Sequence, residues 1–215
     1  MNVAVLIPFR TCTGRDENLC TTLKQWRGWP TFFGDGDEGL FNRSQAINRA
    51  AQRAEDADVF VIHDCDILLA RHQQAVDAAM IALSEDSYVV CFSTLKVFDW
   101  TATYAVHNGK NPLEQPVLET VKMVWGNCFA ISRTLFERVG GFDERFKGWG
   151  AEDHAFLNAC STLGNKHRVV GDAFHLRHPE PVKDHPSLHD NYVLGGRYAK
   201  ADGNREAMLA LIGER

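Results

Sequence analysis

Apolar residues in this chain fall into short continuous runs, and the segments between them carry helical spacing. Residues 2–8 (NVAVLIP) form an unbroken apolar run closed by proline, the pattern of a strand buried on both faces. Residues 58–63 (DVFVIH) and 88–93 (YVVCFS) repeat the pattern, and 127–131 reads as a further strand. Between them, 19–29, 41–57 and 68–83 place apolar residues at helical intervals, with Asn42 or Ser44 available to cap the second. Thr134 and Glu137 have capping-box spacing for a short helix that ends at Gly140-Gly141. A helix is expected over 153–163, strand-like pieces at 168–170 and 173–176, and helix again at the close of 187–215. The pattern loosens over 97–121, and 108–116, with its glycine and two prolines, reads as a mobile loop. Strands alternating with helices imply an α/β fold, a partly parallel, doubly wound sheet flanked by helices.

The chain has 215 residues, 45% hydrophobic and 24% charged, which suits one domain able to bury a substantial core. A formal net charge of −5 argues against wholesale binding of nucleic-acid phosphate. The opening apolar run lacks the charged lead and the length of a secretion signal, and no run is long enough to span a bilayer. The expectation is therefore a cytoplasmic protein without a membrane span, of bacterial or phage origin. Six cysteines without a CxxC pair read as free, mostly buried thiols.

Chemistry concentrates in 139–156. Gly148-Trp149-Gly150 forms a turn, and Glu152 and Asp153 open the helix behind it. Glycine lets backbone approach a ligand, an indole offers a flat face to a sugar ring, and carboxylates hold hydroxyls or take a proton from one. The plainer reading is an ordinary helix start, where acids suit the dipole. The strand 58–63 runs into Asp64-Cys65-Asp66. Ligands of open α/β sheets bind at the carboxyl ends of strands, and alternate residues of an extended segment point the same way. Asp64 and Asp66 can therefore share a hard cation, unless they are simply solvated acids. His175 and His178 add two imidazoles, which favour Mn²⁺ over Mg²⁺ if they join those oxygens. Phe9-Arg10 after the first strand, and Phe41 with Arg43 at the second helix, can stack on a base and meet phosphate or ribose, unless Phe9 is core and Arg43 a helix-surface charge.

Together these pieces resemble a known family. Pro8-Phe9-Arg10, Phe41-Asn42-Arg43, Asp64-Cys65-Asp66, Gly148-Trp149-Gly150-Ala151-Glu152-Asp153 and Arg177-His178 occur in the order and rough spacing of the β-1,4-galactosyltransferases. The block from Gly140 to Asp153 is also similar to chondroitin-synthase-type and polypeptide N-acetylgalactosaminyltransferase domains. The resemblance covers about residues 2–180 and implies a single GT-A domain over 1–215. In it, about 1–100 would form the nucleotide half, about 117–180 the acceptor and catalytic half, and 181–215 a C-terminal extension.

The resemblance also implies roles. Pro8, Phe9, Arg10, Phe41 and Arg43 would line a uridine pocket. Asp64 would approach ribose or metal, and Asp66 and His178 would bind Mn²⁺, with Mg²⁺ as the alternative. His175 stands where the family has methionine and would be a further ligand. Gly126 would adjoin the donor sugar, Trp149 and Glu152 would contact acceptor and donor hydroxyls, Gly150 would join the substrate-binding residues, and Glu152 with Asp153 would form the catalytic pair. Asp153 would be the base of an inverting single displacement from a UDP-sugar to an acceptor hydroxyl on a glycan, protein or modified nucleobase. Acids usually follow the Glu-Asp pair in that family; here His154 and Ala155 follow. The segments 108–116 and 183–192 are lid candidates. Competing readings are a retaining N-acetylgalactosaminyltransferase-like enzyme, a degenerate domain that binds sugar or nucleotide without turnover, a metal hydrolase built on the histidines, and a sugar nucleotidyltransferase. The last is disfavoured by a single glycine after the first strand.

Overall fold

The chain opens with β1 (Val3–Pro8), α1 (Arg15–Thr22) tightening into a 3-10 turn at Leu23–Trp26, β2 (Thr31–Gly34), α2 (Arg43–Arg53), β3 (Val59–His63) and β4 (Ile67–Leu69). Next come α3 (Gln73–Glu85), β5 (Ser87–Val90), β6 (Thr94–Val97), α4 (Trp100–His107), a 3-10 turn at Pro112–Glu114 and β7 (Glu119–Lys122). β8 (Cys128–Ser132), α5 (Arg133–Arg138), α6 (Glu152–Leu163), β9 (Asn165–Arg168), β10 (Asp172–His175), α7 (Leu188–Ala201) and α8 (Arg205–Ile212) follow. This computed structural model describes every residue except 13, 181 and 182, so the expected junction at 181 lies outside the described residues.

The larger sheet has the order β2-β1-β3-β8-β5-β9. β1 runs parallel to β2 and β3, β5 runs parallel to β9, and β8 is inserted antiparallel between β3 and β5. The α/β expectation is met, with β1, β3 and β5 as anticipated from their apolar runs. β3 and β8 are buried along their whole length: α3 packs against both strands, and Phe136 of α5 and Phe156 of α6 meet their rings Phe60 and Phe129. Tyr88, Phe129, Phe142 and Phe156 pack at the centre of the core, the last two stacked at 3.8 Å between ring centroids.

A second sheet, β4-β10-β6-β7, was not foreseen as a sheet, although the strand-like piece expected at 173–176 is its β10. The other strands are three or four residues long and β7 is largely exposed, so neither length nor alternation marks them. The stretch expected to be loose over 97–121 contains α4, capped by the Asp99 side chain accepting from the Ala102 N–H. The helix expected from 68 instead begins at Gln73, since 67–69 pair as a strand. The cap of α5 is Ser132, whose Oγ accepts from the Leu135 N–H, rather than Thr134. Asn42 caps α2 by accepting from the Gln45 N–H. All six cysteines are free, four buried and two exposed. Among the described residues no helix is long and apolar enough to cross a membrane.

Candidate active site

Strand pairing builds the first half of the site. β10 runs antiparallel to β4 with His175 opposite Ile67, and the Leu176 N–H donates to the Asp66 carbonyl at 2.8 Å. That register carries the residues after β10 past Asp66, which is 3% exposed. His178 Nε2 lies 3.1 Å from Asp66 Oδ2, and His175 Nε2 lies 4.0 Å from Asp66 Oδ1. The three residues offer ligand atoms all within 4.8 Å of one another. His178 Nδ1 is 2.7 Å from the Pro179 carbonyl, and the tautomer that donates to it frees the Nε2 lone pair to ligate a metal beside Asp66. Among the described residues His175 Nδ1 is buried without a partner. Burial lowers the His175 pKa, against the pull of Asp66, so the ring favours the neutral form a ligand needs. One carboxylate and two imidazoles suit a first-row divalent cation, so the donor set fits a metal. The Arg15 guanidinium borders the cluster, with Nη1 3.7 Å from Asp66 Oδ2.

The second half is organised by Arg43, the first residue of α2. Its Nε and Nη2 donate to Asp64 Oδ1 at 3.0 and 2.8 Å, and its Nη1 donates to Asp153 Oδ1 at 2.6 Å. The guanidinium also lies 5.7 Å from the Phe142 ring centroid. Burial would lower the Arg43 pKa, but Asp153, Asp64 and Glu152 outweigh it and the net shift is upward. Burial pushes the Asp64 carboxyl up to about 6 despite Arg43. Burial, and then the neighbouring Asp153, push Glu152 up to about 7. Glu152 Oε2 accepts from the Gly150 N–H at 3.3 Å, which ties the acid to the turn before α6.

With Oδ1 engaged by Arg43, Asp153 points Oδ2 towards Gly126. A Cβ on residue 126 would stand 2.8 Å from that oxygen, so only glycine fits. Met123 to Asn127, Asp153 and His154 line a cavity of about 310 Å³ in front of the carboxylate. Met123 and Asn127 are held at φ 62° and 71°, backbone rarely adopted by residues with a Cβ. The Tyr88 hydroxyl donates to the Trp125 carbonyl and anchors this strained segment from the core.

Residues 119–179 match a family model described as the N-terminal domain of galactosyltransferase. Bovine β-1,4-galactosyltransferase 1 is 24% identical over 201 residues, spanning 86% of this chain and 44% of that protein. The human protein gives the same figures. The chain thus spans less than half the length of these relatives. Among solved structures, GalNAc-T7 with UDP, GalNAc and Mn²⁺ superposes with TM-score 0.56 at 16% identity, covering 90% of this chain and 47% of that one. The catalytic domain of Drosophila β1,4-galactosyltransferase 7 with xylobiose gives TM-score 0.49 at 18% identity, covering 87% and 72%. The chain has the GT-A fold, and its residues 119–179 are similar to galactosyltransferases.

The stretch matched by the family model holds Gly126, Trp149, Gly150, Glu152, Asp153, His175 and His178, but not the N-terminal candidates. Of those, Asp66 joins the two histidines, and Asp64 joins Arg43 instead of the cation cluster. Pro8 closes β1, and the following Phe9 N–H donates to Gly34 at the end of β2. Arg10 is committed to its own loop: it donates to Asp35 and to the carbonyls of Gly36, Asp37 and Gly39, and lies 5.4 Å from the Phe41 ring centroid. The Gly148 N–H donates to the Phe41 carbonyl, joining the aromatic before α2 to the turn that presents Trp149. Trp149 is 41% exposed, with the Lys183 ammonium 5.6 Å from its ring centroid.

Arg15 is the charged neighbour that sequence reasoning did not place at the site. Its signal was available: an arginine starting a helix just after the first buried strand, behind Gly14 at φ 82°. Of the two lid candidates, 108–116 is a connection that includes the 3-10 turn at Pro112–Glu114, and 183–192 contains the first turn of α7.

Proposed function

We propose that this galactosyltransferase-like domain is a divalent-metal-dependent transferase that moves a sugar from a UDP-sugar to an acceptor hydroxyl, with inversion at the anomeric carbon. The observation that carries the reading is the pairing of two sites: an Asp66, His175 and His178 cluster, and an Asp153 carboxylate with one oxygen fixed by Arg43 and the other facing a cavity. The related fold of GalNAc-T7 in its UDP and Mn²⁺ complex supports the donor class. The same pairing speaks against a hydrolase built on the histidines alone, because a carboxylate facing a cavity stands beside the cluster's own ligands.

Asp66, His175 and His178 would hold Mn²⁺, with Mg²⁺ a poorer match to two nitrogen donors. The bound cation would neutralise charge on the departing diphosphate. Asp153 Oδ2 takes the acceptor proton as that hydroxyl oxygen bonds to the anomeric carbon, and the bond from that carbon to the UDP oxygen breaks. Asp153 lies in the first turn of α6, and Arg43 fixes its orientation. Gly126 keeps the path to that oxygen open. Trp149 and Glu152 would contact sugar hydroxyls, and Phe9 and Phe41 would flank the base of the nucleotide. The division into a donor half at about 1–100, a catalytic half at about 117–180 and an extension from 181 belongs to this proposal.

The test is transfer from a panel of UDP-sugars to hydroxyl acceptors with Mn²⁺, with the product anomer read by NMR. An α-configured donor should give a β-linked product. Asp153→Asn should lower kcat by about 10²–10⁴-fold with UDP binding retained. A product of retained configuration would overturn the mechanism, and UDP binding without turnover on any acceptor would favour the degenerate binding domain.

A further inference from the structure

The turn that carries Trp149 has left-handed backbone at Gly148, Gly150 and Ala151, with φ 69°, 125° and 69°. Alanine is strained there, because its Cβ opposes positive φ. Such a conformation persists where its surroundings over-determine it. Besides the Phe41 carbonyl and the Glu152 carboxylate, those surroundings come from α7 and the residues before it, outside the stretch that matches the galactosyltransferase family.

Asn191 is 1% exposed, and its carboxamide reads the turn's backbone directly. Its Oδ1 accepts from the Lys147 N–H at 3.2 Å, and its Nδ2 donates to the Lys147 and Trp149 carbonyls at 2.9 and 3.2 Å. His185 Nε2 donates to the same Trp149 carbonyl at 2.9 Å. The imidazole lies so close to Gly148 that a Cβ there would come within 2.9 Å of it. Further along α7, a Cβ on Gly195 would stand 2.8 Å from the Ala151 methyl. A helix that gives up a side chain at 195 and spends a buried asparagine on two foreign residues is shaped to the turn.

We propose that α7 is the positioning element of the Trp149 turn, in which Asn191 and His185 fix its backbone and Gly195 makes room for Ala151, and that α7 thereby sets the subsite for the hydroxyl acceptor. The acceptor half of this inference rests on the proposed role of Trp149. The hydrogen bonds of Asn191 and His185 to the turn go to Lys147 and Trp149, so their influence falls on the acceptor side rather than on the Asp66 cluster or Arg43.

The test compares Asn191→Ala, Gly195→Ala and the double variant Gly195→Ala with Ala151→Gly. Three readouts are taken: amide hydrogen exchange over 147–153, UDP affinity with Mn²⁺, and transfer to p-nitrophenyl glycosides of xylose, glucose and N-acetylglucosamine. Gly195→Ala raises the intrinsic helix propensity of α7, so its effect is not melting of that helix. Both single variants should speed exchange over 147–153 about tenfold or more. The acceptor KM should rise by about tenfold, with the UDP Kd held within about threefold. The double variant should restore both, since glycine at 151 relieves the clash and suits positive φ. Unchanged exchange over 147–153 in the single variants would refute the clamp. Faster exchange with an unaltered acceptor KM would refute its role in the subsite. A wild-type protein that neither binds UDP nor transfers would sink the transferase reading, while the exchange readout and its rescue still decide whether α7 holds the turn.

Discussion

Replacing Arg43 by methionine keeps most of the side-chain length and removes the charge that joins Asp64 to Asp153. The Arg43 side chain is only 12% exposed, and its partners are 18% and 36% exposed. Breaking a buried ion pair from one side costs about 3–5 kcal/mol, because it strands the remaining charge. The exposure of Asp153 places the expected loss at the lower end, about 3 kcal/mol near pH 8. For a chain of this size each kcal/mol moves Tm by about 2–4 °C, so the variant should melt about 6–12 °C below wild type.

The pH dependence follows from the carboxyls. Asp64 and Glu152 titrate at about 6 and about 7 in the fold, above their ordinary values of 3.8 and 4.5. The folded state therefore holds more protons than the unfolded chain between those limits, and stability falls as pH rises through the window. Arg43 counters both upward shifts, so its loss extends the window to higher pH. The gap between variant and wild type should be widest at pH 8 and narrow markedly by pH 5, where both carboxyls carry protons in either protein. The assay is thermal unfolding by circular dichroism at pH 5, 6, 7 and 8. A gap of constant size across that range would show that the loss is packing alone and would refute the electrostatic reasoning.

Glu152→Gln imitates the protonated acid, so it should raise Tm at pH 8 and leave it unchanged at pH 4.5; a loss of stability at both values would contradict the upward shift. Gly126→Ala drives a methyl against Asp153 Oδ2, and turnover should fall by about 10²-fold while UDP and metal affinities persist; full activity would mean that Oδ2 faces elsewhere. Asp66→Ala removes the carboxylate of the cation cluster, so the Mn²⁺-dependent rise in Tm with UDP-sugars should vanish in a thermal-shift panel; an undiminished rise would place the cation away from His175 and His178.

The elements legible from sequence were those whose signal is local. β1 and β3 announce themselves as apolar runs because both faces are buried, and α2 announces its start through the Asn42 cap. β2 (TFFG) and the strands β4, β6 and β7 of the smaller sheet gave no such signal, since they are short and exist only through their partners. Ser132 caps α5 although it is also the last residue of β8, which hid the cap inside an apparent strand. At the site, the acids and imidazoles could be picked out by type and spacing. The long-range cation that organises them could not: nothing local tells that Arg43 reaches both Asp64 and Asp153, or that Arg15 reaches Asp66. Asn191 and His185 likewise act on a turn far from them in sequence.

The antiparallel pairing of β4 with β10 has a consequence for how the protein matures. His175 and His178 meet Asp66 only after a strand from the last third of the chain has found one from the first third. Closing so long a loop is entropically expensive and comes late in folding. A cation that needs all three ligands has no high-affinity site in the unfolded or half-folded chain, so its binding energy is added wholly to that final closure. The ion would then act as a fastener of topology before it takes any part in turnover, and chelation should loosen the β4–β10 seam first, leaving the β1–β3 sheet intact.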